Sequence, residues 1–118
     1  MAYVSGFLLA VPEGNKDAYR ETEEKFWPIA KDYGALSQVV AWEDDVRDGK
    51  TTDFRRAVQC EAGEKVVFSW ITWPDKAAAE KFEKEMQDDP RMAEFGEIPF
   101  DGKRMVFGGF EPLVWKEA

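Results

Sequence analysis

The strongest candidate for chemistry lies near the C-terminus, where a carboxylate and two cations stand close together. Asp101 is followed by Gly102, Lys103 and Arg104, ahead of an apolar strand. An arginine guanidinium can hold a carboxylate through two parallel hydrogen bonds, so these side chains are candidates for binding an anionic substrate. The Asp-Gly dipeptide is also common in turns. The alternative interpretation is therefore a solvent-exposed turn that binds nothing.

Two adjacent glycines inside the last apolar strand are the second candidate feature. Glycine weakens a strand, so Gly108 and Gly109 mark a bulge or the close approach of a ligand or another backbone. The functional interpretation is the floor of a ligand pocket, which Arg56, Trp70 and Asp101 would also line. The structural interpretation is close packing of a helix against the sheet.

An enzyme built from these residues would need a carboxylate base and a cation. Asp101 or Asp44 would take the proton, and Arg56 or Arg104 would stabilise the developing anion. The alternative for Arg56 is an ordinary ion pair with Asp44 or Asp45. An exposed pair of this kind contributes only about 0–1 kcal/mol to stability.

A metal site is not predicted. The acidic segment 43–48 invites a calcium interpretation, but Val46 and Arg47 interrupt the alternating oxygen ligands that a calcium loop needs. The sequence contains no histidine and one cysteine, Cys60. Haem would therefore need Cys60, a tyrosine or a methionine as its axial ligand, and we predict no cofactor.

Charge and composition limit the classes of partner and compartment. The 16 basic and 24 acidic residues give a net charge of −8, which repels phosphate backbones and anionic lipid, so neither nucleic acid nor a membrane is a predicted partner. No apolar run approaches the roughly 18 residues of a membrane span, and the apolar start lacks the basic residues of a signal peptide. A single cysteine favours a reducing cytoplasm.

Periodicity predicts one α+β domain over residues 1–118 with the order β-α-β-(β)-β-α-β. Asn15 and Asp75 are the expected helix N-caps, and Gly34 is the expected left-handed C-cap. Split βαβ units of this order form a ferredoxin-like antiparallel sheet with both helices on one face. The strands are predicted at residues 3–11, 36–42, 65–73 and 105–115, with an optional short strand at 54–60.

Both faces of the predicted sheet are apolar. In the first strand, Phe7 and Leu9 point to one side, and Val4 and Leu8 point to the other. Monomers rarely leave so large an apolar face in water, so something must cover the side without helices. A second copy of the chain is the simplest cover. The alternative is that a loop, residues 44–54 or 88–100, folds over it.

Several short segments together resemble the YbaA-like family of uncharacterised bacterial proteins. Their order and spacing carry the resemblance, and the last segment is the most specific. The segments are Asp44-Asp45-Val46, Asp48-Gly49-Lys50, Phe54 with Arg56, Val67-Phe68-Ser69-Trp70-Ile71, Asp89-Pro90-Arg91-Met92, Pro99-Phe100-Asp101-Gly102-Lys103-Arg104-Met105 and Gly108-Gly109-Phe110-Glu111.

The resemblance implies a branch of the dimeric α+β-barrel superfamily, with ferredoxin-like protomers in a homodimer. It implies no reaction, because the family is itself of unknown function. Other branches include cofactor-free monooxygenases, haem-degrading enzymes and muconolactone-type isomerases. Those enzymes often use a histidine, which this chain lacks.

Two functions remain open at this point. The first is a homodimer that binds a small organic molecule in a cleft between sheet and helices, without catalysis. The second is a cofactor-free, monooxygenase- or isomerase-like enzyme that acts on a small aromatic or carbonyl compound. A catalytic carboxylate would have to be buried, with a raised pKa, beside a pocket. That property distinguishes the two functions.

Overall fold

Four strands form one antiparallel sheet in a computed structural model that describes residues 2–118. They are β1 (Tyr3–Pro12), β2 (Ser37–Trp42), β3 (Glu64–Trp73) and β4 (Val106–Phe110). The order across the sheet is β2-β3-β1-β4, and every neighbouring pair is antiparallel. The two long, apolar strands β1 and β3 occupy the centre, where both of their edges are hydrogen-bonded.

Two helices cover one face of this sheet. They are α1 (Lys16–Asp32) and α3 (Lys76–Glu85), and both bring apolar side chains to the end of β3. Ile29 of α1 and Phe82 of α3 pack in one buried cluster with Trp73. The predicted ferredoxin-like α+β fold, with two helices on one face, is confirmed.

The ends of the helices follow the predicted capping chemistry, with one exception. The Asp75 carboxylate accepts a hydrogen bond from the backbone N–H of Ala78 at 2.9 Å, as an N-cap should. Gly34 has a φ of +106°, which places it in the left-handed region. Asn15 stands at the N-cap position of α1 but makes no capping bond, and its side-chain amide instead donates to the Pro99 carbonyl at 3.0 Å.

The optional strand at 54–60 is wrong. Residues Phe54–Ala57 form a single helical turn, α2, because the Asp53 carboxylate accepts a hydrogen bond from the backbone N–H of Arg56 at 2.8 Å. This local capping bond satisfies a donor that a strand would have to pair across a sheet. The last strand is also shorter than predicted, since β4 ends at Phe110 and Pro112 follows closely.

On the face opposite α1 and α3, Pro112 and Trp115 of the C-terminal tail border a groove, and one end is closely covered. There Val58, which follows α2, is fully buried against Ala10 and Val66. The remainder, which we call the open sheet face, presents exposed apolar side chains, including Phe68 at 46% and Phe110 at 60%. Its residues are Val4, Gly6, Leu8, Val39, Phe68, Trp70, Val106, Gly108 and Phe110.

The two candidate loops behave differently. Segment 88–100 lies on the helix side, where Met92 and Phe95 pack against the buried cluster around Phe82. Segment 44–54 reaches the open sheet face through Phe54, whose ring meets Phe68 edge to face at 6.0 Å, and its residues 44–46 line a small cleft beside Phe68. The chain's own loops therefore leave most of the open sheet face exposed.

Candidate functional site

A cavity of about 210 Å³ lies between the sheet and the elements above it, and we call it the inner cavity. Aromatic rings form much of its wall. Phe26 of α1 meets Phe95 edge to face at 6.4 Å, and Tyr19 meets Phe100 in the same way at 5.7 Å. These edge-to-face contacts fix the orientation of the rings, so that they present an apolar, aromatic wall to the cavity.

Methionine is concentrated at the inner cavity. The sequence contains four methionines, and Met86, Met92 and Met105 all line this space. They lie in or beside the irregular segment 86–105, which follows α3 and covers the cavity through short 3-10 turns at Met86–Asp88 and Pro90–Glu94. Methionine is unbranched and polarisable, so such a wall adapts to the outline of an apolar guest.

Two polar side chains meet at the wall of this apolar space. Glu23 lies on α1, one turn after Tyr19, and Gln38 lies on β2 opposite Ile71. The Gln38 amide nitrogen Nε2 donates a hydrogen bond to Glu23 Oε2 at 2.9 Å. The amide oxygen Oε1 of Gln38 is buried and has no hydrogen-bond partner among the described residues.

The Glu23 carboxyl group has a pKa of about 7, well above its ordinary value of 4.5. Burial is the main cause, because a low-dielectric surrounding disfavours the charged form. The Tyr19 hydroxyl and the Gln38 amide act in the opposite direction, since they stabilise the carboxylate. Burial, and then the Glu23 charge, raise the pKa of Tyr19, so that this phenol keeps its proton.

Glu23 also borders a larger space on the outside of the molecule. This outer groove, of about 620 Å³, runs between α1 and β2 and is lined by Lys16, Arg20 and Trp42 as well as by Glu23 and Gln38. The Glu23–Gln38 pair therefore stands at the boundary between an apolar interior and a charged surface. A proton could reach the carboxylate from the groove while a ligand occupied the inner cavity.

The structure brings Asp101 and Arg104 together, in an ion-pair network. The Arg104 guanidinium donates to both carboxylate oxygens of Glu64, at 2.7 and 2.8 Å, and to Asp101 at 3.1 Å. The Arg104 hydrogen bond lowers the pKa of Glu64, and hydrogen bonds from Lys103 N–H and Arg104 lower that of Asp101. Both carboxylates are thus held in the charged form.

Arg56 lies in a different part of the molecule and closes a loop. Its guanidinium bonds to the Asp53 carboxylate and to the backbone carbonyls of Gly49 and Thr51. Asp53 is therefore its partner, where Asp44 or Asp45 was expected. Asp44 is exposed, and within residues 2–118 no three carboxylate or thiol groups converge in a way that would hold a metal ion.

The remaining predicted pocket residues lie on β3 and β4. Trp70 and Gly108 line a groove of about 590 Å³ on the open sheet face. Gly109 belongs to the other face, where a Cβ atom would overlap the Tyr3 hydroxyl, so a side chain packs closely there. The predicted residues are thus divided among four places, and ligand binding by them stays a prediction.

Sequence reasoning missed Glu23 and Gln38. A signal was present, because Glu23 lies four residues after Tyr19 and three before Phe26, on the apolar side of α1. Gln38 likewise alternates with Val40 and Trp42 on the same face of β2. A polar residue on an apolar face is informative, but the sequence does not reveal that the two belong together.

Comparisons with known proteins identify the family. A family model described as "Protein of unknown function (DUF1428)" matches residues 2–102. The uncharacterized protein YbaA of Escherichia coli K12 is 55% identical over 115 residues, which is 97% of this chain and 98% of that protein. The resemblance to YbaA-like proteins is thereby confirmed.

Solved structures agree on the fold at low sequence identity. A dimeric ferredoxin-like protein from an uncultured marine organism matches with a TM-score of 0.56 and 15% identity, over 99% of this chain and 98% of that one. A Bacillus cereus protein named as a candidate antibiotic biosynthesis monooxygenase matches with a TM-score of 0.53 and 15% identity, with the same coverage. In the described part of this chain, no helix has the length and apolar character that a membrane crossing requires.

Proposed function

Because the chain belongs to the DUF1428 family of proteins of unknown function, we propose its function from its own geometry: it binds a small organic molecule in the inner cavity. One observation carries this proposal. The space is lined mainly by aromatic, methionine and other apolar side chains, and its wall includes Gln38, whose buried amide oxygen has no partner among the described residues. Apolar pockets with a few convergent polar groups are typical ligand sites.

The size of the inner cavity indicates the size of the guest. Its volume is about 210 Å³. A dry apolar cavity of about 150 Å³ accommodates benzene. A single ring with one or two small substituents therefore matches the available space, and a dinucleotide or haem does not.

A cavity-filling variant tests this site. Thermal unfolding of the full chain would be followed with a panel of neutral single-ring compounds, and compounds that bind the folded state raise Tm. Thr22 lines the inner cavity, so Thr22→Leu should fill it and reduce the Tm rise. Thr51→Leu, at an exposed loop position, is the matched control.

Either of two results would contradict the site. The first is that no compound in the panel stabilises the wild-type chain. The second is that Thr22→Leu keeps the full ligand-induced rise in Tm, which would place binding elsewhere. Equal behaviour of Thr51→Leu and wild type is required for the comparison to hold.

Glu23 favours a second candidate function, a cofactor-free enzyme that moves a proton. With a pKa of about 7, this carboxyl group can both accept and return a proton near neutral pH. The Glu23 carboxylate would take a proton from the carbon beside a carbonyl, and the C–H electron pair would form an enolate. Once Glu23 is protonated, the Tyr19 O–H would turn from that carboxyl group to the enolate oxygen until the proton returns to carbon.

In this enzyme hypothesis the catalytic base is Glu23, in place of Asp101 or Asp44 as the sequence predicts. Asp101 is held charged by its partners, which makes it a weaker base than a buried carboxylate. Tyr19 takes the role expected of Arg56 or Arg104, since those arginines are engaged in ion pairs away from the inner cavity.

Deuterium exchange tests the enzyme function. Phenylacetone in D2O would lose its α-proton NMR signals faster with the wild-type chain than with buffer. Glu23→Gln should remove about a hundredfold or more of that enhancement, because an amide cannot accept the proton. Glu21→Gln, at an exposed position of α1, is the control. Equal rates for Glu23→Gln and wild type would exclude Glu23 as the base.

The open sheet face supports a homodimer. It exposes Val39, Phe68, Val106 and Phe110, and the tail beyond β4 adds Leu113 at 96% exposure. Covering apolar area contributes about 25 cal/mol per Å², and two copies packed face to face would cover both sheets. The structural neighbour from the marine organism is described as dimeric, in agreement with this proposal.

Sedimentation of the full chain at micromolar concentration tests the assembly. We expect twice the 13.5 kDa protomer mass for wild type. Phe68→Lys should yield monomers, because it would bury two charges at the interface. Leu36→Asp changes a more exposed apolar side chain that lines the outer groove, and this variant should remain dimeric. A monomeric wild type would refute the dimer.

A reducing cytoplasm without a nucleic-acid partner completes the proposal. The net charge of −8 opposes binding to polyanions. Cys60 is a free cysteine with no second cysteine to form a disulfide. Burial is the main cause that raises the pKa of its thiol, and a protonated thiol is less easily oxidised. Passage of the protein through a heparin column at low salt is the expected result, and retention would contradict it.

A further inference from the structure

Of the two polar atoms in the Gln38 amide group, only the nitrogen has a hydrogen-bond partner among the described residues. Its nitrogen donates to Glu23 at 2.9 Å, while its oxygen Oε1 is buried without a partner in the described residues. Buried polar atoms are almost always hydrogen-bonded, because an unmet acceptor costs its full desolvation penalty. An N–H or O–H donor from outside the chain is therefore needed at this point.

We propose that the inner cavity takes a neutral, single-ring compound with a hydroxyl group, a phenol-like molecule whose hydroxyl donates to Gln38 Oε1. This inference rests on the proposed binding function and names its ligand class. The ring occupies the space between the aromatic and methionine side chains. The hydroxyl is its one polar anchor.

Charge excludes anionic ligands from the same space. Glu23 and Tyr19 are the titratable groups among the described residues that line the inner cavity, and neither supplies a positive charge. Lys16 and Arg20 face the outer groove instead. A carboxylate or phosphate ligand would lose its hydration without gaining a cation, and it would be repelled by the charged form of Glu23.

The direction of hydrogen bonding excludes ligands that only accept. Gln38 Oε1 accepts, and the Glu23 carboxylate also accepts when it is charged. An ether at the same position would add a third hydrogen-bond acceptor, and the amide oxygen would still lack a donor. A site built to bond a hydroxyl rejects the analogue that lacks it far more strongly than an apolar pocket rejects one methyl group.

Three ligands of nearly equal size test the inference on the wild-type chain. They are 4-methylphenol, 4-methylanisole and 1,4-dimethylbenzene, which differ at one substituent. Titration calorimetry should give a Kd for 4-methylphenol lower by about tenfold or more than for the other two, because it alone supplies a donor. This comparison does not depend on any variant folding.

Gln38→Met then identifies the atom responsible. Methionine has a similar length and no amide, so the variant should bind 4-methylphenol and 1,4-dimethylbenzene with Kd values within about twofold of each other. Gln87→Met, at an exposed position beyond α3, should keep the wild-type preference.

The outcomes separate this inference from the binding function itself. If 1,4-dimethylbenzene binds the wild type as tightly as 4-methylphenol, the hydroxyl class is wrong, while an apolar ligand site stands. If Gln38→Met keeps the phenol preference, the donor meets another atom and the inference fails. If none of the three compounds binds, both the ligand class and the proposed cavity function fail.

Discussion

At the scale of single residues, the ionisation of Glu23 depends on burial and on two hydrogen-bonding neighbours. Burial raises its pKa to about 7, although the Tyr19 hydroxyl and the Gln38 amide stabilise the charged form. Lys16, Arg20 and Glu24 of α1 line the groove beside it, and β2 adds no charged side chain there. A change at Glu23 should therefore be visible in both stability and ligand binding.

Glu23 should make the chain less stable as pH rises through neutrality. Its folded pKa lies above the unfolded value of 4.5, so the stabilisation is fully present below pH 4.5 and is lost as pH rises to about 7. This pKa difference corresponds to a decrease of about 3 kcal/mol in the free energy of unfolding between acid pH and pH well above 7. Glu23→Gln should be more stable than wild type at about pH 8 and similar at about pH 4.

Urea denaturation across this pH range measures the effect. Glu21→Gln should follow the wild-type pH profile, because Glu21 is exposed on α1. Parallel profiles for wild type and Glu23→Gln would show that the carboxyl group titrates normally. The role of Glu23 as a proton carrier near neutral pH would then be lost as well.

The Arg104 network should have the opposite pH dependence. Arg104 lowers the folded pKa of Glu64, so its stabilising contribution is present above the ordinary carboxyl pKa and is lost as pH falls below it. Arg104→Met leaves the buried Glu64 carboxylate without its cation. We expect a lower Tm at neutral pH and a smaller difference from wild type in acid. Arg47→Met, at an exposed loop pair, should leave Tm unchanged.

At the scale of elements, short-range capping decides where helices begin. Asp75 begins α3, and Asp53 begins α2, each by accepting a backbone N–H within one turn. Asp53 has more partners, because it also receives the Gly49 N–H and the Arg56 guanidinium. The one-turn helix α2 is also held by the ion pair of Arg55 with Glu43 at 2.6 Å and by the contact of Phe54 with Phe68. It covers the buried Val58 end of the sheet.

Removal of each cap should therefore have unequal effects. Asp75→Ala should lower the free energy of unfolding by about 1 kcal/mol, the usual cost of a lost N-cap. Asp53→Ala should cost more, because three hydrogen-bonding groups lose their acceptor. Chemical denaturation of both variants gives the comparison. An equal or smaller loss for Asp53→Ala would show that α2 forms independently of its cap.

At the scale of the whole molecule, the sheet has one covered face and one open face. The helix face contains the buried clusters and the inner cavity, while the open sheet face leaves Phe68 and Phe110 partly in water. If a second copy covers that face, folding and association are one equilibrium. Stability would then depend on protein concentration.

Thermal unfolding at several concentrations tests this dependence. Tm of the wild type should rise with each tenfold increase in concentration, because mass action favours the folded dimer. Phe110→Asp should remove the concentration dependence, since a charge on the open sheet face opposes association. A wild-type Tm that stays constant over such a range would indicate a stable folded monomer.

Much of the fold could be predicted from the sequence. The cap at Asp75, the left-handed Gly34 and the apolar strands β1 and β3 depend on neighbouring residues, and the structure agrees with each. The optional strand at 54–60 failed because one capping bond from Asp53 outweighed a weak alternation. The resemblance to YbaA-like proteins supplied the family, which periodicity alone could not.

The candidate site could be predicted only in outline. The cleft between sheet and helices was expected, but Asp101, Arg56 and Gly108 were chosen because they form conspicuous local patterns. Glu23 and Gln38 form none, and they are separated by the end of α1 and the turn before β2. Their hydrogen bond exists only when that helix lies across that strand.

The amino-acid order alone determined most of the helices and strands and the two-sided apolar sheet, because these follow from interactions between residues near one another in the chain. Only the tertiary structure decided which polar side chains are removed from water and which are paired. Desolvation and hydrogen bonding depend on surroundings contributed by distant segments. The raised pKa of Glu23 and the unmet oxygen of Gln38 therefore belong to the folded molecule, and no local pattern encodes them.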